Sequence, residues 1–91
     1  MERTDKTLRT IALGTSREIL RRLAEKPMTV GELRRRSRGL RNRVSFYKSL
    51  NRMVGLGIVG RHRDPSVRGI VYKLLKSEVV IEFKSGKVRV I

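Results

Sequence analysis

"GELRRRSRGLRNRVSFYKSLNRMVGLGIVGRHRD" occupies residues 31–64, and two patterns overlap in it. The first is helical. At 100° per residue, Phe46, Leu50 and Met53 stack on one face, while Val44, Ser45, Lys48, Asn51 and Arg52 lie on the opposite one. Asn42 is a good N-cap, so a helix is expected from residue 42 to about 54 or 55. The second pattern is electrostatic. No acidic residue lies between Glu32 and Asp64, yet ten cations do: Arg34, Arg35, Arg36, Arg38, Arg41, Arg43, Lys48, Arg52, Arg61 and Arg63. A helix with an apolar stripe packs on a core. An acid-free, basic outer face asks for an anionic partner.

Toward the N-terminus the same period continues. Residues 4–12 are expected to form a helix with Leu8, Ile11 and Ala12 on one face, stopped at Gly14. Residues 15–26 predict a stronger helix, with Thr15 and Glu18 as a capping box, Ile19, Leu20 and Leu23 as its stripe, and Pro27 beyond its end. Residues 29–38 start with a second capping box, Thr29 with Glu32. Val30 and Leu33 face inward, Gly39 closes the helix, and Leu40 fills the core from the turn.

Toward the C-terminus the period changes. "GLGIV" (55–59) ends the helix and begins a strand. Residues 58–63 and 70–75 read as a β-hairpin around the turn "DPSVRG", where Asp64-Pro65 and Gly69 supply the turn chemistry. "EVVIEFKSGKVRVI" (78–91) reads as a second hairpin. A two-residue turn at Ser85-Gly86 would pair Phe83 with Val88 and Ile81 with Val90 on one face, and set Glu82 opposite Arg89 on the other. The fold class expected is therefore α+β.

The totals narrow the partner. With 91 residues the prior is one domain with a modest core. The net charge is +15 and the sequence pI about 11.7. Self-repulsion on that scale opposes compaction, and a polyanion relieves it. Nucleic acid suits this better than an anionic membrane, because the apolar residues are committed to a core. There is no cysteine, which excludes a disulfide framework, a cysteine zinc site and a thiol nucleophile. His62 is the one histidine, and a lone histidine beside arginines reads as a strand residue, not a metal ligand or catalyst. No nucleophile–base set, P-loop or metal-ligand spacing occurs, so neither an enzyme, a cofactor nor a metal is expected. The residues 1–14 hold no signal-peptide apolar core, and no run approaches transmembrane length, so a cytoplasmic, nucleoid-associated protein is expected. The absence of Gln and Trp and the excess of Arg over Lys fit a thermophile, and the base composition of the genome accounts for them equally well.

Three pieces of residues 9–75 carry a resemblance. They are "GTSREILRRLAEKPMTVGEL" (14–33), "FYKSLNRMVGLGIV" (46–59) and "RHRDPSVRGIVYKL" (61–74). In this order and spacing the chain resembles the winged helix-turn-helix regulators of the ArsR-like and TrmB-like kind, from archaea and bacteria. The resemblance implies an N-terminal helix (4–14), a three-helix core with the helix-turn-helix (15–56), a wing (57–75) and an additional C-terminal hairpin (76–91). It also implies double-stranded DNA as partner and a homodimer on a near-palindromic site. The chain departs from the family after Leu75, where ArsR-like sensors finish with a dimerising helix, and it lacks the cysteines through which they often sense metal.

The candidate DNA-binding residues follow from the helix of residues 42–55 and the wing. The groove-facing set is Arg43, Val44, Ser45, Tyr47, Lys48, Asn51 and Arg52, Arg41 is a further DNA-binding candidate just before the helix, and Arg61, Arg63 and Arg68 serve the backbone or minor groove. Arg or Lys can pair with guanine, Asn with adenine, and Val44 with a thymine methyl. Tyr47 lies at the edge of the core face, so burial and DNA contact both suit it. "RRRSR" (34–38) taken alone is a solvated charge run or a nuclear localisation signal; the acid-free window around it argues for more. Three other readings compete: an architectural DNA binder reading backbone and deformability, an RNA- or ribosome-associated protein, and a protein-interaction module. The shortage of aromatics for base stacking (two Tyr and two Phe) disfavours RNA without excluding it. The basic helix face disfavours the protein-interaction module.

Overall fold

Helix α4 (Arg43–Gly55) is the centre of the core. Phe46, Ser49, Leu50 and Met53 are its buried residues, and the last three recur at i, i+1 and i+4 as an inward face must. The computed structural model describes residues 3–37 and 43–91. The expectations placed on Arg38, Gly39, Leu40, Arg41 and Asn42 lie outside the described residues.

Ahead of α4 come α1 (Arg3–Ala12), α2 (Gly14–Glu25), a two-residue strand β1 (Met28–Thr29) and the short α3 (Val30–Arg36). After it come β2 (Val59–Arg63), β3 (Ile70–Leu74), β4 (Val79–Glu82) and β5 (Lys87–Val90). The architecture is α+β: four helices with an antiparallel sheet of order β1-β3-β2 and a separate two-stranded sheet β4-β5, among the described residues. Helix α2 packs on α4 and on β3, and α4 packs on β2, so helices and sheet share one core. Ile19, Leu23, Met28, Leu33, Phe46, Leu50, Met53, Leu56, Ile58, Val59 and Tyr72 form it. Each large side chain buried this way contributes about 1.5–3 kcal/mol of transfer free energy.

The passage from α4 to β2 is fixed by hydrogen bonds. The Ile58 N–H donates to the Met53 carbonyl at 3.0 Å and the Gly57 N–H to the Val54 carbonyl at 3.1 Å. Gly57 adopts φ 76°, the left-handed conformation that this helix stop requires. Ile58 and Met53 both enter the core, which seals the turn with an apolar contact.

Strand β1 has no counterpart among the sequence expectations. Met28 pairs with Tyr72 and Thr29 with Val71, which makes β3 the central strand. Two residues are too few to show a period, so only the partner strand reveals them. Thr29 has a second role: its Oγ1 accepts from the Glu32 N–H at 3.2 Å and caps α3 as expected, but the Glu32 carboxylate turns to Lys26 and Arg36 and does not complete the capping box. Helix α3 ends earlier than expected, at Arg36, and the Ser37 N–H closes its last turn on the Leu33 carbonyl at 2.9 Å.

Two expectations are corrected at α2. The helix begins at Gly14, with Leu13 at the N-cap and no side-chain cap, so Thr15 is inside the helix and does not cap it. Glu18 is not a capping partner. It holds Arg21 and Arg22, each at 3.0 Å, along the helix surface. In α1 the inward residues include Thr7 and Thr10 as well as the half-buried Leu8 and Ile11, while Ala12 is exposed. Thr10 tolerates burial because its hydroxyl donates to the Lys6 carbonyl at 2.8 Å.

The last hairpin has a different register from the one expected. Ile81 pairs with Val88, Val79 with Val90, Val80 with Arg89 and Glu82 with Lys87. The turn is therefore four residues, 83–86, and Glu82 is opposite Lys87, not Arg89. The slip is two residues, and an even slip leaves each side chain on its own face. Only Phe83 changes status: it leaves the apolar face and enters the turn, 91% exposed.

Candidate nucleic-acid interface

Residues 43–55 present two chemically different sides. Taking Lys48 as the centre, Val44, Ser45, Asn51 and Arg52 fall within an arc of about 120° at helical geometry, and all five are exposed. Val44 is 67% exposed, an isolated apolar group amid polar ones. Arg43, in the first turn, is exposed as well. Arg41 lies outside the described residues. Among the described residues, Arg43, Lys48 and Arg52 form no ion pair, and no acid is present on α4 to offer one.

Tyr47 occupies the boundary between the two sides. Its ring meets Phe46 edge-on, with centroids 5.3 Å apart. The Arg34 guanidinium of α3 lies 5.9 Å from the Tyr47 ring centre. With Gly31 and Arg35 these two residues line an open recess between α3 and α4. Sequence reasoning gave Arg34 no specific role. A tyrosine on the helix edge with arginines one element earlier was the available signal, but the α3–α4 crossing that joins them is not written in either helix.

The β2–β3 hairpin, whose strand β2 packs on α4, is a second basic element. Arg61 and Arg63 project from one face of β2, and His62 from the other, where it pairs with Val71. Arg61, Arg63 and Arg68 are exposed. The connecting turn is shaped by Asp64, whose carboxylate accepts from the Ser66 N–H at 2.9 Å and from the Ser66 hydroxyl at 2.7 Å. Those two donors, the backbone first, hold its carboxyl below the usual aspartate range. The one acid beside the hairpin is thus occupied in forming the turn.

Charge is segregated. Glu18 and Glu25 face Arg21 and Arg22 on α2, and Glu32 takes Lys26 at 2.9 Å and Arg36 at 3.4 Å. The Lys26 contact, aided by Arg36 and Arg35, holds the Glu32 carboxyl below its ordinary range. Of the cations in the acid-free window, Arg36 alone is ion-paired among the described residues. A second basic recess, of about 390 Å³, lies where α1 meets α4 and is lined by Lys6, Arg9, Thr10 and Arg52. Lys6 and Arg9 are spaced i, i+3 on α1, so they share a face, and sequence reasoning did not join them to Arg52.

No three His, Cys, Asp or Glu side chains converge among the described residues, and no helix among them is long and apolar enough to cross a membrane. No protein-family model matches the chain, and no curated protein matches it.

Proposed function

We propose that the chain is a winged helix-turn-helix DNA-binding regulator. Helix α4 enters the major groove, and the β2–β3 hairpin is the wing that tracks the backbone or the minor groove. One observation carries the reading: the outward arc of α4 is wholly exposed, basic and acid-free, and the acids of α2 and α3 are consumed elsewhere. Duplex DNA carries about one negative charge per 1.7 Å of axis, and cations that replace its counterions gain affinity from their release. Lys48, Asn51 and Arg52 have the chemistry to read guanine and adenine edges, and Val44 a thymine methyl. Arg61, Arg63 and Arg68 have reach and charge for phosphates. The antiparallel sheet β1-β3-β2 behind the helices, with α3 leading into α4, is the support such a wing needs. A two-fold dimer on a near-palindromic site belongs to the same reading.

Binding-site selection from a random duplex library, run beside an RNA competitor, tests it. A sharp motif is the expected result. Uniform binding would turn the reading to an architectural protein, and preference for RNA would overturn it.

A further inference from the structure

The β4–β5 hairpin is anchored at its base and free at its tip. At the base, the Ile91 N–H donates to the Glu78 carbonyl at 2.9 Å, and the Ser77 and Glu78 N–H groups donate to the Ile91 carbonyl at 2.7 and 3.0 Å. Val79 and Val90 line an apolar crevice with Ile11, Leu20 and Ala24, so the body covers that end. Exposure then rises along the strand: Val79 is half-buried, Ile81 is 46% exposed and Phe83 is 91% exposed. The turn is held, not loose. Gly86, at φ 72°, donates its N–H to the Glu82 carbonyl at 2.8 Å, and Ser85 Oγ accepts from the Lys87 N–H at 3.3 Å. Lys84 follows Phe83 in the turn, Lys87 opens β5 opposite the one acid here, Glu82, and Arg89 lies two residues further along β5; none of the three cations forms an ion pair among the described residues.

We propose that this tip is a second DNA-contacting element, in which Phe83 stacks on or wedges between base pairs while Lys84, Lys87 and Arg89 hold the flanking phosphates. The proposal rests on the DNA-binding reading above and adds to it a site outside α4 and the wing. Singly exposed apolar side chains are common, but this ring is 91% exposed on a hydrogen-bonded turn, where covering it would be favourable at little ordering cost. Charge decides the occupant. A second copy would bring the same three cations, offset by Glu82 alone, against these, in a chain of net charge +15. Nucleic acid offers apolar base faces beside phosphates, which complements one ring among cations.

The chain contains no tryptophan, so Phe83→Trp creates a single reporter at the tip. Titrating duplex DNA into this variant should quench its emission severalfold, as base stacking does. Phe83→Ala should weaken duplex binding about tenfold, within the range of stacking one base on an aromatic ring. Its melting temperature should match that of the parent, because the side chain packs on nothing. Lys84→Ala with Lys87→Ala should flatten the salt dependence of binding. Unchanged emission at saturating DNA overturns the inference while the α4 reading stands. So does a rise in sedimenting mass that depends on Phe83 without DNA, or an emission change with anionic lipid vesicles but not with DNA. If the parent chain binds no DNA, both readings fall together.

Discussion

The Arg34 guanidinium lies over the ring of Tyr47, 5.9 Å from its centre, and so ties α3 to the edge of α4. An exposed cation–π pair of this kind contributes about 0.5–1 kcal/mol. Tyr47→Ala should lower the unfolding free energy by about that amount plus the lost contact with Phe46, while Tyr47→Phe should be nearly neutral. Urea denaturation of the three proteins measures it. Equal losses for Ala and Phe would mean that the hydroxyl, not the ring, carries the contact.

Lys48 is at the centre of the exposed arc of α4. If it reads a base, Lys48→Ala should cost about 1–3 kcal/mol at the preferred site and little on random DNA. Arg35→Ala, from the preceding helix, should weaken both by similar small amounts. Titrations of both variants against the selected site and a scrambled duplex separate the roles. Equal losses for Lys48→Ala on both duplexes would restrict Lys48 to phosphate.

How much of this surface was legible depends on the range of the signal. The helix α4 and its two faces follow from a local period, and the placement of Phe46, Leu50 and Met53 in the core and of Lys48 and Arg52 outside agrees with it. The strand pair β2–β3 was legible for the same reason. What was not legible depends on partners distant in sequence. Strand β1 exists because Met28 and Thr29 meet Tyr72 and Val71. The last hairpin's register was open to a two-residue slip, because an even slip preserves the pattern that was read. Thr15 had the chemistry of a cap, but the helix starts two residues earlier, with Leu13 at the N-cap.

Salt dependence tests the electrostatic part of the reading. With about six phosphate contacts per bound unit, affinity should fall roughly a thousandfold between 50 and 200 mM salt. Fluorescence anisotropy across that range gives the slope. A nearly flat response would remove nucleic acid as the main partner.

Acid should weaken the α2–α3 junction through Glu32. Its carboxyl is held below the ordinary range by the Lys26 contact, then by the nearby charges of Lys26, Arg36 and Arg35. A depressed folded-state value means that the ionised form is favoured by folding. The stability it adds is complete above the unfolded glutamate value and is lost as pH falls through the folded one. Glu32→Gln should therefore lower the melting temperature at neutral pH and make no difference in strong acid. Parallel melting curves across the acid range check this, and a constant gap between the two proteins at all pH values would contradict it.

Two glycines at the end of α4 should respond oppositely to alanine. Gly57 has φ 76°, where a Cβ is strained whatever space surrounds it. Gly57→Ala should destabilise by about 1–2 kcal/mol, the cost of a left-handed L-residue. Gly55 is helical, and a Cβ built on it meets nothing within 4 Å. Gly55→Ala should be neutral or stabilising by up to about 0.8–1.0 kcal/mol, from helix propensity. The contrast also bears on function. The Gly57 turn carries the chain from α4 directly into β2, so it sets the angle between the helix and the hairpin that bears Arg61 and Arg63. Gly57→Ala should weaken DNA binding even under conditions where the variant is fully folded, whereas Gly55→Ala should bind as the parent does. Urea midpoints give the first comparison and binding titrations well below the melting temperature the second. If folded Gly57→Ala binds DNA as tightly as the parent, the helix and hairpin do not need this fixed angle to engage the duplex together.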